Sequence, residues 1–274
     1  MHRIALAVTP LLLTAASAVV LVSSRPAPAP GRAARPAAAA APTATVPVVV
    51  ELFTSEGCSS CPSADAALRE LTAAQSVPGV EVIALGQHVD YWNRLGWKDQ
   101  FSAAQFTQRQ QWYAQGFGEG NYTPQAVVNG RYEFVGSQKS TLAQTVAKAA
   151  QAPRATVTLT RSAAGALHVQ VSHLPAGTQA ASVELALTET GLSSQVGRGE
   201  NSGRLLRHAA VVRSWRPLGA VKADGTFVGT TPLDLSSNWK TDNLRAVVLV
   251  QETGSRHVVG VGSLPLGSKS TALN

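Results

Sequence analysis

The two cysteines of the chain, Cys58 and Cys61, are separated by two serines. Sulfurs at this spacing can lie together on the first turn of a helix and close a disulfide, and the helix dipole there stabilises a thiolate. The pair therefore predicts thiol–disulfide exchange, in which Cys58 attacks a substrate disulfide and Cys61 resolves the mixed disulfide. Two alternatives stay open. One is a structural disulfide, although so short a loop constrains the unfolded chain little, and the other is a metal site.

His88 lies in a connection, residues 86–98, that follows the second predicted strand and is rich in aromatic residues. The carboxyl ends of parallel strands meet at one edge of a sheet, so we expect this connection and the cysteine loop at the same edge. There His88 can exchange protons with the thiols, or join Cys58 and Cys61 in binding Cu(I) or Zn(II). The third interpretation is a packing cluster in which His88 hydrogen-bonds to the backbone. Asp90 and Trp92 are further candidate neighbours of the site.

The segments around these residues alternate between short apolar strands and helical patterns. A β-branched run precedes the cysteines, a helix with one apolar face follows them, and a second apolar run comes next, which predicts a parallel β-α-β unit. Asn129-Gly130 is a strong signal for a two-residue hairpin, and Asp99 is the expected N-cap of the second helix. The predicted strands are 47–54, 80–85, 125–128 and 131–135, and the predicted helices are 63–75, 99–115 and 140–151.

Four stretches within residues 48–136, namely ELFTSEGCSSCPSAD, HVDYWNRLGW, FTQRQ and YTPQAVVNG, carry a family resemblance. They resemble the secreted thioredoxin-like family known as domain of unknown function 1223, of the thioredoxin superfamily. The resemblance implies an α/β thioredoxin-like fold. It also implies that the Thr123–Pro124 bond is cis and faces the cysteines, where the backbone of Thr123 can dock a substrate peptide. Thioredoxins carry a buried acid on the strand before the cysteines, so the resemblance suggests Glu51 as a proton relay.

Residues 154–274 have a different pattern, with several short β-type runs separated by Gly, Pro, Asn and Ser, and with no cysteine. Such spacing favours an all-β sandwich-like domain. The predicted fold class is therefore an α/β thioredoxin-like domain, residues 46–153, followed by an all-β sandwich-like domain, residues 154–274.

The first 45 residues predict export. One basic residue, a long apolar run and the small residues Ala16-Ser17-Ala18 are typical of a signal peptide or N-terminal anchor over residues 1–22. Residues 23–45 contain ten alanines and five prolines, a composition typical of a linker. We expect the protein to be periplasmic or secreted, and tethered to the membrane only if the N-terminal segment is not cleaved. These compartments are oxidising, so a disulfide can persist there.

The composition excludes several classes of protein. With 45% hydrophobic and 14% charged residues, the chain is neither wholly disordered nor a coiled coil. Four of the 23 basic residues lie in the first 45 positions, which hold no acid, so the net charge of +7 does not indicate nucleic-acid binding. We expect an exported thiol–disulfide oxidoreductase that acts on a protein or a small thiol or disulfide, without a bound cofactor. The alternatives are copper binding or delivery through Cys58, Cys61 and His88, and a non-catalytic interaction module with a structural disulfide.

Overall fold

The computed structural model describes residues 45–267, which form thirteen strands, three α-helices and two short 3₁₀ helices. The first elements are β1 (Val46–Thr54), α1 (Cys61–Ala74), β2 (Val80–His88), α2 (Ala104–Phe117), β3 (Gln125–Val128), β4 (Tyr132–Val135) and α3 (Lys139–Ala149). The remaining strands are β5 (Thr156–Arg161), β6 (Leu167–Ser172), β7 (Ala181–Glu189), β8 (Ser193–Gln195), β9 (Leu205–Arg207), β10 (Val211–Ala220), β11 (Phe227–Thr231), β12 (Leu244–Glu252) and β13 (Val258–Pro265). The 3₁₀ helices are Asn93–Leu95 and Thr241–Asn243.

Strands β1 and β2 are buried along nearly their whole length, as expected of β-branched and aliphatic runs. They pair in parallel, from Val46 beside Val80 to Thr54 beside His88, with α1 as the connection. The predicted β-α-β unit is thereby confirmed. Strand β2 is longer than predicted, so His88 is the last residue of the strand and is held by its backbone pairing.

Helix α1 begins at Cys61, and Pro62 lies in its first turn, where a residue without a backbone N–H is tolerated. The helix ends at Ala74, because Gln75 adopts a left-handed conformation with φ 44° and its N–H binds the carbonyl of Leu71. Cys61 is therefore the first helical residue, and the helix N-terminus lies directly beside the two sulfurs.

Most of the strands belong to one mixed sheet of eight strands, in the order β13-β12-β7-β10-β2-β1-β3-β4. The pairs β1–β2 and β2–β10 are parallel, and the others in this sheet are antiparallel. Strands β3 and β4 form the hairpin that Asn129-Gly130 predicts. A three-stranded sheet, β11-β6-β5, and the β8–β9 hairpin complete the described structure.

The predicted fold class is wrong. Residues 45–267 are mostly β-structure around one large mixed sheet, with three α-helices, and do not form an α/β thioredoxin-like domain followed by a separate β-sandwich. Strands from the two predicted halves are neighbours within the same sheet, since β10 lies between β7 and β2. The β-rich pattern of residues 154–274 is correct as local structure, but four of its strands extend the sheet of the first half.

The physical reason is the pairing of β2 with β10. Val211 of β10 pairs with Gly86, whose N–H donates a hydrogen bond to the carbonyl of Ala210 at 2.6 Å. A Cβ on Gly86 would lie 3.1 Å from that carbonyl oxygen, so the missing side chain lets the two backbones approach closely. The C-terminal half of the chain therefore lies against the second edge of β2 and satisfies the backbone N–H of Gly86 there.

The apolar core also crosses the predicted domain boundary. One cluster joins β1, β2 and α2 to the strands β7, β10, β12 and β13. A second packs α1 and α3 on the opposite face of β1, and a third packs the three-stranded sheet against β7 and β12. Successive residues of a strand point to opposite faces, so both faces of the large sheet are covered near its centre.

The predicted signal peptide or anchor, residues 1–22, lies outside the described residues, as does the predicted linker up to residue 44. Between residues 45 and 267, no helix has the length and apolar character needed to span a membrane.

Candidate functional site

Cys58 and Cys61 form a disulfide, with their Cα atoms 5.4 Å apart. Both residues are about 1% exposed, whereas Ser59 and Ser60 between them are exposed. The Ser60 hydroxyl lies 3.4 Å from Cys58 Sγ. The sulfurs therefore lie just beneath the surface, under the two serines.

A tight turn places the cysteines at the start of α1. The backbone N–H of Cys58 donates to the carbonyl of Ser55 at 3.2 Å, and that of Cys61 donates to the carbonyl of Cys58 at 3.3 Å. Gly57 lies against Trp92, because a Cβ on this glycine would come within 3.2 Å of Trp92 Cβ. Trp92, which the sequence offers as a candidate neighbour of the site, thus lies against the cysteine loop.

A segment far along the chain clamps the cysteine loop, and we name it the Asn201 loop, residues 196–204. The buried side-chain amide of Asn201 donates to the carbonyl of Glu56 at 2.9 Å and to that of Cys58 at 2.8 Å. The N–H of Ser59 donates to Glu200 Oε2 at 2.9 Å. No sequence pattern indicates these residues, because the glycines and polar residues of this segment are typical of any loop.

The carboxylate of Glu56, just before the cysteines, is buried and contacts side chains from two other loops. Trp97 Nε1 donates to its Oε2 at 2.6 Å, and His208 Nε2 lies 3.3 Å from its Oε1. The N–H of Glu56 donates to Asp99 Oδ2 at 2.9 Å. The residue two positions before Cys58 is thereby fixed through both its backbone and its side chain.

His88 belongs to the same buried cluster. Its Nδ1 lies 2.6 Å from Asp99 Oδ2, and its ring centroid lies 4.9 Å from that of His208 and 5.4 Å from that of Phe101. Burial lowers the pKa of His88, but the Asp99 carboxylate outweighs it, with smaller contributions from Asp65 and Glu56, so the pKa is raised above its ordinary value. Burial raises the pKa of Asp99, and His88 reverses this, so the pKa of Asp99 is lowered. Below the raised pKa of His88, the two side chains form an ion pair.

The sequence predicts Asp99 as the N-cap of the second helix, and this prediction is wrong. Helix α2 begins at Ala104, with Ala103 at the N-cap position, and Asp99 lies in the preceding connection. Its carboxylate is used instead to hold His88 and the N–H of Glu56. His208, which no sequence pattern indicates either, reaches the cluster from the segment between β9 and β10.

Asp65 lies one helical turn after Cys61 and connects α1 to two other segments. Thr54 at the end of β1 donates its hydroxyl to Asp65 Oδ2 at 2.8 Å, and the N–H of Ala209 donates to Asp65 Oδ1 at 3.0 Å. The buried carboxylate thus fixes the position of the helix N-terminus relative to the sheet.

The Thr123–Pro124 peptide bond is cis, as the resemblance implies. Trp92 Nε1 donates to the Thr123 hydroxyl at 2.9 Å. Since Trp92 also contacts Gly57, it bridges this segment and the cysteine loop. The structure therefore brings the predicted docking residues to the same region as the disulfide.

The side chains of Asp90 and Glu51 bind residues outside the cysteine loop. Asp90 Oδ1 accepts a hydrogen bond from the hydroxyl of Thr107, near the start of α2, at 2.6 Å. The buried carboxylate of Glu51 accepts from Arg109, from the Tyr113 hydroxyl at 2.5 Å and from Gln87 Nε2 at 2.5 Å.

Arg109 pairs with Glu51 on the α2 side of the sheet. Its Nε lies 2.5 Å from Glu51 Oε2 and its Nη2 lies 2.8 Å from Oε1, while the guanidinium packs 4.0 Å from the ring centroid of Trp215. Burial lowers the pKa of Arg109. The nearby carboxylate of Glu51 raises it by more, so the pKa of Arg109 is raised above its ordinary value. Both carboxylate oxygens of Glu51 are occupied by this cluster, which gives no support to a proton relay to the cysteines.

The alternative of a metal site with Cys58, Cys61 and His88 gains no support. Within residues 45–267, no group of three or more His, Cys, Asp or Glu side chains is arranged to hold a metal ion. Both cysteine sulfurs are used in the disulfide, and His88 Nδ1 is used by Asp99.

Comparisons with known proteins give a family and a structural relative. The model of a family described as Protein of unknown function (DUF1223) matches residues 49–251. The crystal structure of protein AGR_C_4864 from Agrobacterium tumefaciens is similar with a TM-score of 0.66 and 28% sequence identity, over 84% of this chain and 98% of that chain. No curated protein matches the chain.

Proposed function

The chain belongs to the family described as Protein of unknown function (DUF1223), and we propose that it is a thiol–disulfide oxidoreductase. One observation carries the proposal: the two cysteines form a disulfide whose second member is the first residue of a helix. In the reduced protein, the free N–H groups and the dipole of α1 favour a thiolate at this position.

The exchange moves two electrons between substrate and protein. A substrate thiolate attacks one sulfur of the Cys58–Cys61 bond, that bond breaks, and the other cysteine leaves as a thiolate. A second substrate thiolate then displaces the protein cysteine, which gives an oxidised substrate and a reduced cysteine pair. In the reverse direction, the Cys58 thiolate attacks a substrate disulfide and Cys61 resolves the mixed disulfide. No bound cofactor is needed in either direction.

The length of the loop favours exchange over a stabilising role. In the chain-entropy treatment, a disulfide across four residues stabilises the fold by about 2 kcal/mol, compared with about 3 kcal/mol for a loop of fifteen residues. A bridge placed for stability alone would join distant segments. The Cys58–Cys61 bridge joins residues that the turn before α1 already holds together.

The buried cluster beside the disulfide acts as a positioning device in this proposal. Asp99 holds both His88 and the N–H of Glu56, and Glu56 in turn contacts Trp97 and His208. These contacts fix the backbone that leads into Cys58, so the sulfur keeps one orientation while its redox state changes. His88, Asp99 and Glu56 are therefore assigned as positioning residues.

The substrate is a protein or a small thiol or disulfide, and Thr123 and Pro124 form its docking edge. The contact chain from Thr123 through Trp92 to Gly57 supports this assignment, because it connects the docking edge to the cysteine loop. We further propose that the protein is exported, since an oxidising compartment favours the disulfide form.

One observation favours a rival function, a non-catalytic module with a structural disulfide. Both cysteines are about 1% exposed, whereas an attacking thiol must reach a sulfur. Under the oxidoreductase proposal, the cysteine turn and the Asn201 loop that is hydrogen-bonded to it must move during each exchange.

The reduction potential of the cysteine pair separates the two functions. The full-length protein is equilibrated in glutathione buffers, quenched with acid and alkylated, and the free thiols are counted by mass. A value between about −120 and −270 mV supports exchange, and a value below about −300 mV shows a disulfide that stays closed and overturns the proposal. A Cys58→Ser variant, in which the disulfide cannot form, supplies the fully alkylated reference for Cys61.

A further inference from the structure

A cavity of 670 Å³ lies between α1, the β8–β9 hairpin and the beginning of β12. Its volume falls in the range of about 300–1,000 Å³ that is typical of small-molecule sites. His208 lines it, so the cavity borders the buried cluster, but the cysteines do not line it.

The cavity carries unbalanced positive charge. Arg69 of α1, Arg207 of β9 and Arg245 of β12 line it from three sides. Arg245 is already paired with Glu81 at 2.5 Å. Among the described residues, Arg69 and Arg207 have no ion pair, and Arg69 Nε is buried without a hydrogen-bond partner.

Two acids, Glu70 and Asp242, also line the cavity, and Glu70 lies 2.5 Å from Lys139. An anion between two arginines would offset the positive charge of their guanidinium groups through charge-assisted hydrogen bonds.

Apolar surface makes up the larger part of the cavity wall, although polar residues such as Thr72, Gln75 and Asn243 also line it. Ala73 of α1, Val82 and Ala84 of β2, Leu192 before β8 and Leu244 of β12 form this part of the wall. A ligand that matches both parts has an apolar body and one negative head group, because either feature alone would leave half of the cavity without a partner.

We propose that this cavity binds a small amphiphilic carboxylate, with its head group between Arg69 and Arg207 and its apolar body against Ala73, Val82 and Leu244. The site is independent of the redox function, because no cysteine takes part in it. Its ligand is recognised by charge at one end and by apolar contact along the rest.

Calorimetric titration of the full-length protein with octanoate tests the proposal, with octan-1-ol and acetate as matched probes that lack the charge or the apolar body. We expect octanoate to bind at least about tenfold more tightly than either probe. Arg69→Gln and Arg207→Gln should each weaken octanoate binding about tenfold and leave octan-1-ol binding unchanged. Arg94→Gln, at an exposed arginine outside the cavity, should change nothing.

Equal affinities for octanoate and octan-1-ol would overturn the proposal, as would octanoate binding that neither cavity variant weakens. Arg207 is exposed, so its variant keeps the test valid even if Arg69→Gln does not fold. The location is checked by histidine side-chain NMR. Octanoate should shift the imidazole signal of His208 and leave that of His168, which lies on β6, in place. A shift of His168 alone would place the ligand elsewhere and contradict the proposal.

Discussion

The side-chain amide of Asn201 donates a hydrogen bond to the carbonyl of Cys58 at 2.8 Å, across 143 positions of sequence. The same amide group donates to the carbonyl of Glu56, and Arg204 Nη1 donates to Asn201 Oδ1 at 2.5 Å. The loop that carries the disulfide is thus fixed by a residue from the C-terminal half of the chain.

Replacing Asn201 with Ala should make the disulfide easier to reduce. The change leaves the buried carbonyl of Glu56 without a donor and removes one of the two donors to the carbonyl of Cys58, so we expect the free energy of unfolding to fall by about 1–3 kcal/mol. Loosening the loop by ~1.4 kcal/mol would raise its open fraction about tenfold, and the rate of reduction by dithiothreitol should rise by that factor. Asn238→Ala, at an exposed position, is the control. An unchanged rate in Asn201→Ala would show that the Asn201 loop does not limit access.

The His88–Asp99 ion pair should make stability depend on pH with a defined sign. The pKa of His88 is raised in the folded protein, so its contribution is complete below its ordinary value of 6.5 and is lost as the pH rises through the raised pKa. The pKa of Asp99 is lowered, so its contribution is present above 3.8 and is lost as the pH falls through the lowered pKa. His88→Gln should therefore flatten the loss of stability above about pH 6.5.

Urea unfolding of wild type and variant between about pH 5 and 9 measures this slope. His257→Gln serves as the control. Burial and Arg131 lower the pKa of His257, so its contribution to stability is complete above pH 6.5 and adds no slope there. If His88→Gln keeps the wild-type slope above that pH, the ion pair is not its origin.

Arg109→Met should strongly destabilise the protein. The variant leaves the buried carboxylate of Glu51 without its cation, which costs about 3–5 kcal/mol in the free energy of unfolding. Lys139→Met breaks a pair with Glu70 in which both side chains are more than 60% exposed, and should change stability by less than about 1 kcal/mol. Chemical denaturation of the two variants checks the contrast, and equal losses would contradict it.

Glu51→Gln should leave disulfide chemistry unchanged. Glu51 is occupied by Arg109, Tyr113 and Gln87, so it has no free oxygen with which to pass protons to the cysteines. The measurement is the rate of disulfide reduction across the pH range in folded protein. A shifted pH profile would restore Glu51 as a proton relay.

Gly130→Ala should destabilise the protein more than Gly79→Ala. Both glycines have a left-handed backbone, with φ of 62° and 71°, so each alanine costs about 1–2 kcal/mol for that conformation. At Gly130, a Cβ would also lie 2.1 Å from the carbonyl oxygen of Arg256, whereas the space around Gly79 is open. The difference between the two unfolding free energies isolates this clash between the β3–β4 turn and the segment before β13. Equal losses would show that the turn can move aside.

Local patterns in the sequence predict much of the first half correctly. The apolar runs of β1 and β2, the helix after the cysteines and the Asn129-Gly130 hairpin depend on near neighbours, and each forms as expected. Helices α1 and α3 lie within two residues of their predicted bounds. Helix α2 begins later than predicted, because Asp99 binds His88 and the N–H of Glu56 instead of capping the helix.

The sequence by itself indicated that Cys58 and Cys61 can close a disulfide at a helix N-terminus, and that β1 and β2 form a parallel pair. Only the tertiary structure decided that β10 pairs with β2, and that Asn201 and His208 reach the cysteine loop. Hydrophobic period and turn residues specify how one segment folds, since they act over a few positions. Which strand edges meet depends on satisfying backbone groups and covering apolar faces across the whole chain, and no local pattern encodes that choice.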